Sequence, residues 1–255
     1  MELKGKTVLI TGGGSGIGLE AARQFLQIGA KVIITGRNPG KLDKAKQMYP
    51  GLVAIQSDAG SESDANELYR QVEALGGIDI LYNNAGVGVP PANLGIAADR
   101  HPEGAAYEME VNYLGTVRLN NLFLDMLKSR KESAIVNTTS ILSIVPSILE
   151  ATYSASKTAL AFYTRSLREH LRIIGSNVKV FELLPPLVAT EMTVGRSEKK
   201  LSPEQLVKGL IKGMEKDRYT IRVGDTKIVY LLNRFFPKFT FGLINPKKDR
   251  QLLKS

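Results

Sequence analysis

The 255-residue chain contains no cysteine and only two histidines, His101 and His170. Without cysteine there is no disulfide framework, no thiolate-held zinc or iron–sulfur cluster and no thiol nucleophile, and nothing points to an oxidising compartment. The two histidines are too few and too far apart in sequence to suggest a metal site, so no metal is expected. No run reaches the ~18 uncharged apolar residues that a membrane-spanning helix needs. The opening MELKGKTVLI lacks the long apolar segment and the small-residue cleavage site of a signal peptide. Low-complexity tracts, Pro/Ser-rich linkers and solenoid-period repeats are absent as well. These absences lead to the expectation of a cytoplasmic chain.

What the sequence has in excess is positive charge: 34 Lys and Arg against 25 Asp and Glu, a net +9. The excess is local. Residues 218–255 hold nine basic side chains and two acids (Asp225 and Asp249), so the preceding 217 residues are nearly neutral at +2. The same segment carries Tyr219, Tyr230, Phe235, Phe236, Phe239 and Phe241. It reads either as a docked C-terminal helix, aromatics in the core and charges solvated, or as a peripheral contact with an anionic membrane surface. It matches no recognised nucleic-acid module, and no nucleic-acid partner is expected.

Short, nearly continuous apolar runs alternate with longer helical patterns. Lys6–Thr11, Lys31–Thr35, Leu52–Ser57, Ile78–Tyr82, Ala134–Thr139 and Val178–Leu184 read as strands buried on both faces. Gly16–Ile28, Pro39–Tyr49, Ser61–Leu75, Met109–Lys128 and Thr152–Ile174 read as helices, and Tyr219–Val223 as a candidate seventh strand. Repeated strand–helix units predict an α/β fold: a doubly wound parallel sheet of Rossmann type in three α/β/α layers. No boundary invites division, so residues 1–255 are expected to form one domain, with 224–255 as a basic, aromatic, helical C-terminal extension packed on it.

In such sheets ligands bind beyond the carboxyl ends of the strands. The first strand runs into Thr11-Gly12-Gly13-Gly14-Ser15-Gly16-Ile17-Gly18, followed at once by a helix. Glycines there permit positive φ and let backbone amides approach a pyrophosphate at the positive end of the helix. A tight turn alone would also explain them; strand before and helix after favour dinucleotide binding. The second strand ends Thr35-Gly36-Arg37-Asn38, with no acid between Lys31 and Leu42. A carboxylate at that place would bond a ribose 2′-hydroxyl, whereas Arg37, with Lys41 nearby, suits a 2′-phosphate. NADP(H) is therefore the preferred cofactor, with NAD(H) left open and a solvated turn as the plainer reading of Arg37.

Tyr153 and Lys157 share one helix face at i and i+4 in Tyr153-Ser154-Ala155-Ser156-Lys157. An ammonium beside a phenol lowers the phenol pKa from its ordinary ~10, which makes it a usable proton donor to a carbonyl. Ser140 stands thirteen residues earlier, at the end of the fifth strand, and Asn112 lies on the preceding helix. Ser143 is a rival hydroxyl, and Asn83 and Asn84 could simply cap and turn. His170 reads as a surface or packing residue, and His101 as part of a loop without a role.

Together TGGGSGIG at 11–18, Asp58, NNAG at 83–86, Asn112, Ser140, YSASK at 153–157 and PPLVAT at 185–190 resemble the short-chain dehydrogenase/reductase family over residues 5–190. The phrases VFELLPPLVATEM and YTIRVGDTKIVYLLNR are similar to its DltE-like branch of oxidoreductases. The resemblance implies Tyr153 as general acid/base, Ser140 as the residue that polarises the carbonyl, and Lys157 as tuner of Tyr153 and ligand of the nicotinamide ribose. It implies for Asn112 a water-holding place in a proton relay. Gly12, Ser15, Gly16, Ile17, Gly18, Arg37, Lys41, Asp58, Ala59, Asn84, Ala85, Gly86, Tyr153, Lys157, Pro185, Val188 and Thr190 are the implied cofactor contacts. The implied substrate is a small carbonyl compound or alcohol, and the implied assembly a homodimer or tetramer.

Two features depart from the family pattern. Pro185-Pro186 replaces the usual Pro-Gly after the sixth strand and stiffens that loop, and about thirty residues follow the candidate seventh strand. Leu187–Leu201 is the expected lid. A cofactor-binding regulatory or scaffold protein without turnover is the alternative function.

Overall fold

The computed structural model describes residues 1–253 apart from 92, 99, 196 and 197, with backbone only at 252. Seven strands, β1 (Thr7–Ile10), β2 (Lys31–Gly36), β3 (Leu52–Gln56), β4 (Ile80–Asn83), β5 (Ser133–Thr138), β6 (Val178–Leu184) and β7 (Thr220–Arg222), form one sheet. Their order is β3-β2-β1-β4-β5-β6-β7, and every pairing is parallel. Ile10 lies opposite Ile34 on one side and Tyr82 on the other. The chain winds outward from β1 to β3 and then, from β4, the opposite way. The reversal between β1 and β4 opens a crevice at their carboxyl ends.

Ten α-helices are seen among the described residues: α1 (Gly16–Gln27), α2 (Pro39–Met48), α3 (Glu62–Ala74), α4 (Arg100–Met109), α5 (Gly115–Lys128), α6 (Ala151–Ile173), α7 (Pro203–Glu215), α8 (Thr226–Phe235), α9 (Pro237–Ile244) and α10 (Lys247–Leu252). Successive strand residues point to opposite faces, so the sheet carries an apolar layer on each. One layer joins Val8, Ile10 and Ile34 to Phe25 of α1, Leu42 of α2 and Leu210 of α7. The other joins Leu9, Ile33 and Leu81 to Leu68 of α3, Phe123 of α5 and Leu171 of α6. The α/β/α layering expected from the sequence is present.

Local chemistry sets the helix starts. Asn38 accepts a hydrogen bond from the Lys41 amide with Pro39 following it, Ser61 accepts from Asp64, and Ser202 accepts from Gln205 ahead of Pro203's helix. α1 differs, because Ser15 makes no side-chain cap.

Three expectations are corrected. The helix expected over Met109–Lys128 is divided: α4 ends at Met109, Glu110–Leu114 form a π-helical turn, and α5 begins at Gly115. A Cβ on Gly115 would stand 2.0 Å from the Ala59 carbonyl oxygen, so the wide turn lets the backbone press against the loop after β3. His101 lies on α4 rather than in a loop; Pro102 falls in the first turn, where no amide is needed. Asn83 does not turn the chain. It is the buried last residue of β4.

After β7, α8 to α10 lie over the carboxyl end of the sheet. Asn245 holds them: its side chain accepts from the Ile148 amide at 2.7 Å and donates to the Pro146 carbonyl at 3.0 Å. Asn233 donates to the Ile144 carbonyl at 3.3 Å. The aromatics of this segment are not core residues, since Phe235, Phe236 and Phe239 are 61–68% exposed.

Candidate active site

The crevice begins at the end of β1. The Thr11 hydroxyl accepts from the amides of Asn84 and Ala85, each at 3.0 Å, and the Asn84 side chain donates to the Thr11 carbonyl at 3.0 Å. Asn84 thus braces the glycine-rich turn from behind and is not part of the crevice wall. Gly18 makes the close approach of α1 to this turn: a Cβ there would sit 2.2 Å from the Gly12 carbonyl oxygen. Gly16 needs its φ of +54° and faces Thr190, whose Cγ2 would be 3.1 Å from an added Cβ. The loop after β6 therefore closes on the turn after β1.

The uncapped start of α1 opens towards a cleft of about 200 Å³ lined by Gly12, Ser15, Arg37, Lys41, Asp58, Ala59, Ala85 and Gly86. Backbone amides and the positive end of a helix dipole favour an anion there. At the far end the Arg37 guanidinium is half exposed, bonded to the Tyr107 hydroxyl and 3.9 Å from the Asp58 carboxylate. Lys41 pairs with Glu191 from the loop after β6. Tyr107 and Glu191 are distant in sequence, and no local pattern at Arg37 or Lys41 announces them.

A second cavity, of about 1150 Å³, is lined by Ile17, Ser140, Tyr153, Pro185, Val188 and Thr190 together with residues of α8 to α10. Ser140 and Tyr153 thus face one space. The Ser140 hydroxyl oxygen accepts from the Leu142 amide at 3.1 Å, which leaves its hydrogen to donate elsewhere. The rival Ser143 gives its hydroxyl hydrogen to the Ser140 carbonyl at 2.6 Å. Its proton is committed. Pro185 keeps the two loops in step, because its carbonyl accepts from the Ile141 amide at 2.9 Å.

Lys157 lies beneath Tyr153 and lines neither space. Its ammonium donates to the Thr138 carbonyl at 3.0 Å and is 5.7 Å from the centre of the Tyr153 ring. Burial holds its pKa down to about 8. At neutral pH it is still mostly the cation. An added Cβ on Gly86 would meet the Lys157 ammonium at 3.2 Å and Asn112 Oδ1 at 3.3 Å, so glycine leaves room for both. Asn112 sits on the π-helical turn, where its side chain donates to the Val87 carbonyl and Ser156 Oγ and accepts from the Val87 amide. That grip fixes the segment between crevice and cavity.

Behind the site, Asn83 Nδ2 donates to both Asn120 Oδ1 (2.8 Å) and Asn137 Oδ1 (2.9 Å), and Asn137 donates to Thr164 Oγ1 (3.0 Å). This buried network ties β4, α5, β5 and α6 together, and the sequence analysis missed all of it but Asn83. The expected lid is partly seen: Ala189 pairs with Leu201, while 196 and 197 lie outside the described residues. Glu198 reaches across to Lys248 of α10 at 2.9 Å. His170 is exposed on α6.

The family model for short chain dehydrogenase matches residues 6–201. The chain is a short-chain dehydrogenase/reductase. Within the family it is 33% identical over 228 residues to the uncharacterized oxidoreductase DltE of Bacillus subtilis, covering 87% of this chain and 89% of that one. It is 36% identical over 197 residues to the uncharacterized oxidoreductase YvaG of the same organism, covering 75% and 71%. A short chain dehydrogenase from Burkholderia cenocepacia, solved in complex with NADP, superposes with a TM-score of 0.83 at 26% identity over 96% of this chain and 99% of that one. A family member from Burkholderia phymatum, solved with NAD, has the same fold, with a TM-score of 0.83 at 22% identity over 94% and 96%.

Proposed function

We propose that this dehydrogenase/reductase interconverts a carbonyl and a secondary alcohol, with NADP(H) preferred over NAD(H). One observation carries the reading: Ser140 and Tyr153 face the same cavity, and the buried Lys157 lies directly behind Tyr153.

The residues present fit a dinucleotide. The glycine turn is a cradle that side chains would fill, and the uncapped helix start adjoins it. Gly12, Ser15, Gly16, Ile17, Ala59, Ala85 and Gly86 would hold the cofactor, Arg37 and Lys41 would meet a 2′-phosphate, and Val188 and Thr190 would border its nicotinamide. When bound, the nicotinamide supplies or accepts the hydride. Ser140, its oxygen already accepting from Leu142, donates its hydrogen to the substrate oxygen and stabilises the charge that grows there. Tyr153 delivers the proton to that oxygen in reduction and removes it in oxidation. The Lys157 cation favours the phenolate and so brings Tyr153 towards working pH. Asn112 contributes by position, since its side chain is held by Val87 and Ser156.

The preference for NADP(H) is supported by Arg37 at the mouth of the crevice and by the lack of an acid on the loop after β2. Exposed apolar side chains on α6, Phe162 and Ile173, support a homodimer or tetramer. The test is NADPH consumption by the purified chain against aldehydes, ketones and quinones. Turnover of a carbonyl compound, faster with NADPH than with NADH, is expected; no turnover across the panel overturns the reading.

A further inference from the structure

We propose that α8, α9 and the corner between them form a docking surface for an anionic phospholipid bilayer. Arg234, Phe235, Phe236, Pro237, Lys238 and Phe239 are six consecutive exposed residues, and the three phenylalanines among them are 68%, 61% and 63% exposed. The outward face of α8 repeats the pattern. Lys227, Ile228, Leu231, Arg234 and Phe235 recur at helical spacing and are all exposed, while Thr226 and Val229 are buried. Ile228, Leu231, Phe235 and Phe239 therefore face outward, while the inward positions take Thr226 and Thr240 along with Val229. A water-facing helix keeps most of its large apolar side chains on the inner face. The exposure does not come from a loose tail, because Asn245 and Asn233 tie these helices to the loop after β5.

Charge selects the occupant. Lys227, Arg234 and Lys238 flank the apolar stripe and take part in no ion pair among the described residues. Residues 218–255 contain just two acids, Asp225 and Asp249. Interleaved cations and phenylalanines complement an anionic headgroup layer with hydrocarbon beneath it. A second copy packed two-fold on this face would bring together two surfaces of the same positive sign. Among the described residues no helix is long and apolar enough to cross a membrane, which makes the contact a surface one.

The face also carries the mouth of the reactive cavity. Ile228 and Leu243, 60% and 54% exposed, line the space that holds Ser140 and Tyr153. Docking would turn that rim towards the lipid, so that an apolar carbonyl compound could pass from bilayer to cavity. This last clause rests on the reaction proposed above; the docking itself does not.

The experiment is co-sedimentation of the full chain with phosphatidylglycerol-containing vesicles and with phosphatidylcholine vesicles, over a range of salt. Binding to the anionic vesicles that weakens with salt is expected. The triple variant Phe235→Ser, Phe236→Ser, Phe239→Ser should bind about tenfold more weakly, and Lys227→Glu, Arg234→Glu, Lys238→Glu should lose the anionic preference. NADPH affinity and melting temperature should stay at wild-type values in both, which separates a failure of docking from a failure of the enzyme reading. Absence of vesicle binding at low salt, or equal binding by the variants, overturns the proposal. So does a dimer that the phenylalanine variant converts to monomer without any vesicle binding.

Discussion

The Lys157 ammonium donates to the carbonyl oxygen of Thr138, the last residue of β5, at 3.0 Å. Two residues further on, the same chain places Ser140 in the cavity that Tyr153 also lines. One strand end therefore sets the position of both the cation beneath Tyr153 and the hydroxyl opposite it. The relative placement of the three side chains depends on how α6 seats on β5, and the buried Asn137–Thr164 bond between those elements helps to fix it.

Burying that ammonium links stability to pH. The ordinary lysine value is 10.5, and in the folded chain it falls to about 8. Between these values the unfolded chain holds more protons, so folding stability rises with pH across the window. Below about pH 8 the burial cost of the charge is fully present. Without cofactor, the stability difference between wild type and Lys157→Met should change steeply from pH 8 to 10.5 and level off below pH 8. Urea unfolding at a series of pH values measures it. Parallel profiles for the two proteins would show that the ammonium is not buried at this cost.

Gly18 makes the closest approach of α1 to the glycine-rich turn. Gly18→Ala puts a methyl group where the Gly12 carbonyl oxygen lies 2.2 Å away, and backbone cannot yield as a flexible side chain can. We expect a loss of about 1–3 kcal/mol in stability, as for overpacking elsewhere, and weaker NADPH binding. Gly51→Ala is the control, because its Cβ meets only Leu26 at 3.7 Å, an ordinary contact. Thermal melting and NADPH titration of the two variants should diverge sharply.

Arg37 is the basis of the proposed preference for NADP(H). Arg37→Asp should raise the KM for NADPH by about tenfold to a hundredfold, the worth of one or two charge-assisted hydrogen bonds, while NADH loses little. The ratio of kcat/KM values for the two nucleotides reads this directly. An unchanged ratio would assign Arg37 to the Tyr107 contact alone.

The inner strands of the sheet were legible because both their faces are covered, which gives each an apolar run, whereas the edge strands β3 and β7 are partly exposed. The glycine turn was legible because it lies between strand and helix. Less local features were not. Pro102 and Gly104 disguised α4, although Pro102 only occupies its first turn. α7 did carry a readable signal, Ser202 and Pro203 at its start with Leu206, Val207, Leu210 and Met214 along one face. The long helix is divided at Glu110–Leu114, next to the close approach of Gly115 to the Ala59 carbonyl, a contact that periodicity does not encode. The outward turn of Phe235 and Phe239 likewise depends on which face of α8 and α9 the core accepts. Within the candidate site, Ser140, Tyr153 and Lys157 were singled out from residue type, spacing and the family resemblance. The partners that restrain them, Leu142 and Thr138, are backbone groups whose roles appear only in three dimensions.

The most direct measurement compares Tyr153→Phe with wild type on a carbonyl substrate from the panel, recording kcat and the NADPH dissociation constant separately. Removing one hydroxyl should lower kcat by at least about a hundredfold, the lower range for a positioned general acid. The dissociation constant should remain within about threefold, because binding common to ground and transition states is untouched. Undiminished turnover by Tyr153→Phe would contradict the assignment of Tyr153 as the proton donor.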